Sequence, residues 1–240
     1  MEYIRLSDER GRANFGWLKS QHTFSFGSYF DSEHMGLSSL RVLNDDRVAP
    51  GAGFGTHGHR DMEIISYVIK GEIEHRDSMG NHFVIPAGEV QRMSAGTGIT
   101  HSEYNPSTHQ ELRFLQIWIQ PNRKGIAPNY AQKKIEQHEA LTALITPKGE
   151  HGTLSINQNA SMYRMALNRD EELTLSIDRK RKGYLHILSG DAQIESDIAG
   201  NNGISSIELS SGDGIGSARP RKLLIKSRSE FSALWFDLPG

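Results

Sequence analysis

The chain has 240 residues, of which 36% are hydrophobic and 23% charged, which is the composition of a globular protein and not of a disordered one. Its 27 basic and 29 acidic residues give a net charge of −2, which argues against a nucleic-acid-binding or acidic-membrane-binding surface. Cysteine is absent, so disulfides, thiolate metal sites and cysteine nucleophiles are excluded. No segment has the pattern of a signal peptide or a membrane span, and we predict a cytoplasmic protein.

The hydrophobic pattern predicts an all-β fold. Apolar runs of roughly 4 to 8 residues alternate with Gly, Asn, Asp and Pro, as in a sandwich or barrel. In chain order the predicted strands are HTFSFGSY, SLRVLNDD, EIISYVIKG, NHFVIPAG, LRFLQIWIQP, SMYRMAL, YLHILSG, SSIELSSG, RKLLIKS and FSALWFDLP. The best helix candidate is PNYAQKKIEQHEA, residues 128–140.

An internal repeat indicates two related barrels. In each copy an apolar strand ends in a glycine–acid turn, and a polar strand, a turn, another strand and a second glycine–acid turn follow. These turns are Gly71-Glu72 and Gly88-Glu89 in the first copy, and Gly190-Asp191 and Gly212-Asp213 in the second. QPNRKGIAPNYAQKK, residues 120–134, has the composition of a linker. We predict two tandem jelly-roll barrels, in domains 1–125 and 126–240.

Two pairs of polar residues have the spacing of metal ligands. His57 and His59 are two residues apart, as are His101 and Glu103, so on strands each pair shares one face. An isolated His-x-His pair is more often unconnected with metal, but two such pairs that each follow a glycine-rich turn favour a metal site. Three imidazoles and one carboxylate suit a divalent ion such as Fe(II), Zn, Cu, Ni, Co or Mn. An octahedral ion would keep two positions for substrate and a small molecule.

Glu63 is an even number of residues away from His57 and His59, so on a continuous strand it would lie on the same face. Two roles are open for it. It is a ligand in place of Glu103, or it accepts a hydrogen bond from a ligand imidazole. Two carboxylates and three imidazoles would crowd one ion, which favours the second role.

The second copy provides a comparison for the first. Aligning Gly71 with Gly190 places three other residues at the positions of the two histidines and Glu63, namely Ser176, Asp178 and Lys182. These side chains do not form the same ligand set. We therefore predict that the C-terminal barrel has no metal site.

These motifs resemble the pirin family. HGHRDMEIISYVIKG looks like the first cupin motif, with Gly51 six residues before His57. GNHFVIPAG and HSEYN look like the second, and contain Gly80, Pro86, Gly88, His101 and Asn105. The gap from Gly88 to His101 is longer than in ordinary cupins. A gap of this length is similar to that of pirins specifically. So are three further segments of the sequence, HTFSFGSY, LRVLNDDRVAPGAGFGTHGHRDMEIISYV and the final FDLP.

The resemblance implies a bicupin whose N-terminal barrel binds one metal ion, with Fe(II) as our first expectation. The implied ligands are His57, His59, His101 and Glu103, which makes Glu63 a non-ligand. Bacterial pirins similar to this sequence are associated with quercetin 2,3-dioxygenase activity, and animal pirins with binding to transcription factors.

The dioxygenase reading gives a mechanism to test. A flavonol's 3-hydroxyl would bind the metal and lose its proton to Glu103, the predicted catalytic base. Dioxygen would then add, and the ring would open with loss of carbon monoxide, as in the family chemistry. Predicted cavity walls, which are equally candidates for the core, are Phe24, Phe26, Phe54 and Met93. His22 and His75 are expected to be structural or exposed.

Two other functions stay open. In the first, the protein binds a regulatory partner and its metal is structural or redox-sensing. In the second, the protein is a metal-dependent isomerase or lyase. We favour the enzyme classes over the binding class. A flavonol and O2 are the predicted partners, without nucleic acid or membrane, and we predict a monomer.

Overall fold

The computed structural model describes residues 3–197 and 204–240. Within these residues one 3-10 turn, Glu150–Gly152, is the only helical element, and all others are strands. The predicted all-β class is confirmed. None of the helical structure in this part of the chain has the length and hydrophobicity that crossing a membrane requires.

The first half of the chain forms eleven strands. They are β1 (Tyr3–Arg5), β2 (Gly11–Asn14), β3 (Leu18–His22), β4 (Leu40–Val48), β5 (Gly53–His59), β6 (Glu63–Lys70), β7 (Glu72–Asp77), β8 (His82–Pro86), β9 (Glu89–Ser94), β10 (Ile99–Tyr104) and β11 (Leu112–Ile119).

The second half continues the series. Its strands are β12 (Asn129–Lys134), β13 (Leu141–Thr146), β14 (Leu154–Ser155), β15 (Ser161–Leu167), β16 (Glu172–Ile177), β17 (Arg181–Ser189), β18 (Asp191–Asp197), β19 (Ile204–Ser210), β20 (Gly214–Ser217), β21 (Arg221–Ser227) and β22 (Phe231–Pro239).

The chain divides into two compact units. The first unit consists of Arg10–Ile135 and Pro147–Asn159. Its larger sheet has the order β12-β9-β6-β11-β4-β3-β2, and its smaller sheet the order β5-β10-β7-β8. Strand alternation buries Val68, Leu112 and Phe114 in an apolar core inside this unit.

The second unit contains the chain before Arg10, then Glu136–Thr146 and Ala160–Gly240. Its larger sheet includes the order β1-β20-β17-β22-β15-β13, and its smaller sheet is β16-β21-β18-β19. The order β9-β6-β11-β4-β3 in the first unit corresponds to β20-β17-β22-β15-β13 in the second, and β5-β10-β7-β8 corresponds to β16-β21-β18-β19. The predicted repeat is therefore present in the topology, while domain limits at residues 125 and 126 stay a prediction.

The repeated glycine–acid turns need backbone conformations that favour glycine. Gly71 has φ +78° and Gly190 has φ +82°, the left-handed region in which a Cβ is unfavourable. A Cβ on Gly190 would also lie 2.1 Å from the backbone oxygen of Glu230. Each glycine lets the chain turn tightly from one sheet into the other within its own unit.

The predicted helix and linker are wrong. Residues 129–134 form β12, which pairs with β9 from Asn129 opposite Ser94 to Lys134 opposite Glu89. The polar run has good helix formers, but pairing satisfies the backbone groups of β9 that would otherwise lie at a sheet edge. Tyr130 stacks on Phe83, with ring centroids 5.2 Å apart, which adds contacts that an isolated short helix would lack.

The predicted strand HTFSFGSY is also largely wrong, because only His22 lies in a strand. Phe26 and Tyr29 form an isolated bridge around Gly27, whose φ is +58°. Ser25 N–H donates to the His34 carbonyl, so this apolar segment is a folded loop. Phe24 in this loop is fully buried without a regular ladder, while Phe26 and Tyr29 are partly exposed.

The interior of the second unit is apolar where the first unit has histidines. Leu175 lies opposite Leu223 in the β16–β21 pair, and both belong to a buried cluster that includes Trp235. Ser176, which the sequence alignment placed at the position of His57, is exposed. The alignment was one residue out of register, and such a slip exchanges the two faces of a strand.

Candidate metal centre

The three predicted histidine ligands lie on two paired strands of the smaller sheet. His101 on β10 is directly opposite His57 on β5, and His59 is opposite Ile99. An irregularity follows, because Glu103 pairs with Phe54 and leaves two residues of β5 opposite one of β10. This bulge shifts the alternation of side chains along β5 by one residue, so Phe54 faces the same side as His57.

The imidazoles converge through their Nε2 atoms. Those of His59 and His101 are 3.0 Å apart, and those of His101 and His57 are 3.1 Å apart. The donor atoms of all three residues lie within 4.8 Å of one another. His101 is 1% exposed, so its side chain is removed from solvent.

The positions of the protons on the histidine rings leave nitrogen lone pairs directed into this cluster. His57 Nδ1 lies 2.8 Å from the Gly55 carbonyl oxygen, which only accepts, so Nδ1 carries the proton and Nε2 is free. Burial and the neighbouring histidines lower the pKa of His59 to about 4 and that of His101 to about 3. These two rings are therefore neutral at pH 7.

These residues fit a divalent metal ion. The two short Nε2–Nε2 contacts share His101 and cannot both be hydrogen bonds, because the His57 proton lies on Nδ1 and His101 has one proton at most at Nε2. A cation would use all three lone pairs. With metal–nitrogen bonds of about 2.1 Å, neighbouring octahedral ligands are about 3.0 Å apart and tetrahedral ones about 3.4 Å apart. The two short spacings, 3.0 and 3.1 Å, are close to that of neighbouring ligands of one ion.

Glu103 is buried beside this cluster and held by two donors. Ser66 Oγ donates to one carboxylate oxygen at 3.0 Å, and Gln116 Nε2 donates to the other at 3.2 Å. Glu103 forms a second group of potential ligands with His75 and His101, whose donor atoms also lie within 4.8 Å of one another. The two groups share His101, so Glu103 approaches the cluster from the side of His75.

His75, which belongs to the second group of potential ligands, is held by contacts with its neighbours. Its Nε2 donates to Asp77 at 3.1 Å, and its Nδ1 lies 3.4 Å from the amide nitrogen of Gln91. The side chains of His75 and Asp77 are both fully buried. This pair is a fixed wall next to His101.

Glu63 lies apart from the imidazoles. Its carboxylate accepts hydrogen bonds from Ser94 Oγ at 2.9 Å and from Asn157 Nδ2 at 3.1 Å. Burial raises the pKa of Glu63, while the bonds from Ser94 and Asn157 lower it. Glu63 thus joins β6 to the segment around Asn157, and the hydrogen bond to a ligand imidazole that the sequence suggested is not formed.

Two of the three histidines, His57 and His59, line a cavity of about 450 Å³ whose walls include several aromatic side chains. His59 packs edge-on against Trp118, and Trp118 against Phe26, with ring centroids 5.1 and 5.3 Å apart. Phe26 and Phe54 line the cavity as predicted. The other two predicted wall residues are fully buried core residues, Phe24 and Met93.

A buried polar row crosses the larger sheet, and sequence reasoning missed most of it. Backbone pairing places five residues side by side on five adjacent strands, in the order His22, Asn44, Gln116, Ser66 and Gln91. All five are at most 5% exposed. One signal was available: LRVLNDDRV has three consecutive polar residues in the middle of an apolar strand.

Asp46, which follows in the same strand, also lines the cavity and was missed. It is 2% exposed. Burial raises its pKa to about 7, with a hydrogen bond from Ser20 acting in the opposite direction and Asp45 and Glu103 adding to the rise. The carboxyl is thus partly protonated at neutral pH.

Comparison with known proteins agrees with this architecture. Residues 4–119 match the family model described as Pirin, and residues 143–238 match the one described as Quercetinase C-terminal cupin domain. A protein from Escherichia coli strain K12 named quercetin 2,3-dioxygenase is 44% identical over 239 residues, which covers 100% of this chain and 99% of that protein.

Two solved structures extend the likeness to three dimensions. The crystal structure of YhhW from Escherichia coli has a TM-score of 0.93 and 44% identity, and the match covers 100% of this chain and 98% of YhhW. A second structure, bacterial pirin YhhW in complex with nickel(II), has a TM-score of 0.91 at 44% identity over 100% of this chain and 99% of YhhW. The predicted fold of two tandem cupin barrels is confirmed. The chain belongs to the pirin family.

Proposed function

We propose that this protein is a metal-dependent dioxygenase that opens the ring of a flavonol such as quercetin. The observation that carries the proposal is the set of three converging Nε2 atoms, two of whose histidines, His57 and His59, line a cavity with aromatic walls. The similarity to a protein named quercetin 2,3-dioxygenase supports the choice of substrate.

The proposed ligands are His57, His59, His101 and Glu103, and a divalent ion held by them would supply Lewis acidity toward the 3-hydroxyl of the flavonol. Fe(II) is our candidate for the native ion, while nickel(II) is bound in the structure of the Escherichia coli pirin. The monomeric state and the cytoplasmic location stay predictions.

Glu103 is the proposed base that takes the proton of the flavonol 3-hydroxyl. Hydrogen bonds from Ser66 and Gln116 fix the orientation of both of its oxygens. Fixed orientation matters because proton transfer requires a heavy-atom distance of about 2.6–3.2 Å.

The cavity walls complete the proposed site. Trp118 and Phe26 present aromatic surface next to His59, which suits the flat rings of a flavonol. They also keep water from the reacting ring. In the reaction both oxygen atoms of O2 enter the ring-opened product, and carbon monoxide leaves.

The test combines metal analysis with stoichiometry. Protein purified anaerobically should contain about one equivalent of metal, and with quercetin it should consume O2 and release carbon monoxide in equal amounts. Glu103→Gln should lower turnover per bound metal by at least about 100-fold, as expected for loss of a general base. Glu111→Gln, a change at the exposed Arg47–Glu111 ion pair, is the control. Wild-type protein with bound metal and no O2 uptake would rule out the dioxygenase.

A further inference from the structure

One end of the cavity is polar and has no part in holding the metal. Four side chains form this end: Ser20, His22, Asn44 and Asp46. All four are at most 5% exposed. Backbone pairing puts His22 opposite Asn44 and Ser20 opposite Asp46, so the four form a compact square on β3 and β4.

Three of these residues are fixed by one another. His22 Nδ1 donates to Asn44 Oδ1 at 2.9 Å, and Ser20 Oγ lies 3.3 Å from the same nitrogen. The amide oxygen only accepts, so the proton of His22 is on Nδ1 and its Nε2 is an acceptor. The ring packs on Phe26, with centroids 5.4 Å apart.

Asp46 has an unused hydrogen-bonding atom. Its Oδ1 is buried and has no hydrogen-bond partner, although its carboxyl receives a bond from Ser20. An unpaired buried carboxyl oxygen is costly, so such an atom in a cavity wall indicates a partner that arrives with a ligand.

Aromatic rings connect this polar end to the histidine cluster. The ring contacts run from His59 to Trp118, from Trp118 to Phe26 and from Phe26 to His22. The distances between the ring centroids are 5.1, 5.3 and 5.4 Å. Aromatic surface therefore lies between His59 and these polar side chains in the wall of the cavity. A ligand that fits the cavity has a flat aromatic body and a polar substituent at each end.

We propose that Ser20, His22, Asn44 and Asp46 form a second subsite, which binds a phenolic hydroxyl on the substrate ring remote from the metal. The phenol donates its hydrogen to Asp46 Oδ1 or His22 Nε2. The inference rests on the proposed function for the nature of the ligand, and it adds a specificity determinant: the protein selects flavonols with a hydroxylated distal ring.

The test compares two ligands on nickel(II)-loaded protein without oxygen. Quercetin has hydroxyls on its distal rings, whereas 3-hydroxyflavone keeps the metal-chelating pair and lacks every other hydroxyl. Anaerobic isothermal titration calorimetry should show that wild-type protein binds quercetin at least about tenfold more tightly, as expected from one hydrogen bond to a buried charged or polar group. In Asp46→Leu this ratio should fall to near one.

Two further variants complete the experiment. His22→Phe keeps the packing on Phe26 and removes the ring nitrogens, so it tests the subsite even where Asp46→Leu does not fold. Glu111→Gln, at the exposed Arg47–Glu111 ion pair, is the control and should keep the wild-type ratio. A ratio that both subsite variants preserve would overturn the proposal, as would a wild-type ratio near one or no binding of quercetin. Oxygen uptake is measured separately, so failure of catalysis is distinguishable from failure of the subsite.

Discussion

His101 lies directly opposite His57 in the β5–β10 pair, and the Nε2 atoms of the two rings are 3.1 Å apart. A direct cross-strand pair holds two side chains on one face at fixed spacing, without help from flexible loops. The cluster is thus preorganised by backbone pairing, and its histidines need little rearrangement to receive an ion.

Removal of His101 should therefore abolish metal binding. In His101→Ala, metal content measured by mass spectrometry should fall from about one equivalent to less than about 0.1, because this ring contacts both other histidines. Nickel should raise the melting temperature of wild-type protein and not of the variant, since only a folded state that binds the ion is stabilised. His109→Ala, at an exposed histidine, is the control. Full metal content in His101→Ala would place the site elsewhere.

Strand parity predicted the cluster from sequence because alternation is strict within a regular strand. His57, His59 and His101 obey it. Phe54 does not, since the bulge in β5 brings it to the same face three residues before His57. Glu63 has the matching parity, but it lies on β6 in a different sheet and points to Ser94. Periodicity describes one strand at a time and carries no information about bulges or about which sheet a strand joins.

The polar row of the larger sheet shows the same limit. Gln116 and Ser66 hold Glu103, yet they are 50 residues apart in the chain and meet only because β11 pairs with β6. Each looks like an isolated polar residue in an apolar strand. Only the pairing order of five strands, which no local pattern encodes, makes them neighbours.

Glu63 should be a structural residue with no effect on metal content. Glu63→Gln loses an acceptor for Asn157 and Ser94, at a cost of about 1 kcal/mol, which lowers the melting temperature by about 2–4 °C in a chain of this size. Elemental analysis should give the wild-type stoichiometry. Loss of metal from this variant at an unchanged melting temperature would return Glu63 to the ligand set.

The depressed pKa values of His59 and His101 predict acid lability of the metal-free protein. Both folded-state values, about 4 and about 3, lie below the ordinary value of 6.5. As the pH falls below 6.5, the unfolded chain takes up protons that the folded protein does not, so stability is lost at up to about 1.4 kcal/mol per pH unit for each group.

Chemical denaturation of chelator-treated protein between pH 7.5 and 4.5 measures this loss. His101→Asn removes one titrating group and should show a smaller decline of stability with acidification than wild-type protein. Equal slopes for the two proteins would contradict the lowered pKa of His101.

The raised pKa of Asp46 predicts that its contribution to stability depends on pH in the opposite direction. Burial raises its folded pKa to about 7 from an ordinary value of 3.8. Between these values the unfolded chain has lost a proton that the folded protein retains, so the contribution of Asp46 to stability declines as the pH rises from about 4 to 7. Asp46→Asn keeps the shape of the side chain and removes the titration.

The stability of metal-free Asp46→Asn relative to wild type should therefore increase between pH 4.5 and pH 8, by an amount on the order of 3 kcal/mol. Glu111→Gln, at the exposed Arg47–Glu111 ion pair, should show no such gain. Denaturation curves at both pH values measure the difference. A difference in stability between Asp46→Asn and wild type that is the same at pH 4.5 and pH 8 would show that the Asp46 carboxyl has an ordinary pKa. Contacts such as the hydrogen bond from Ser20 would then stabilise the ionised form of this buried group.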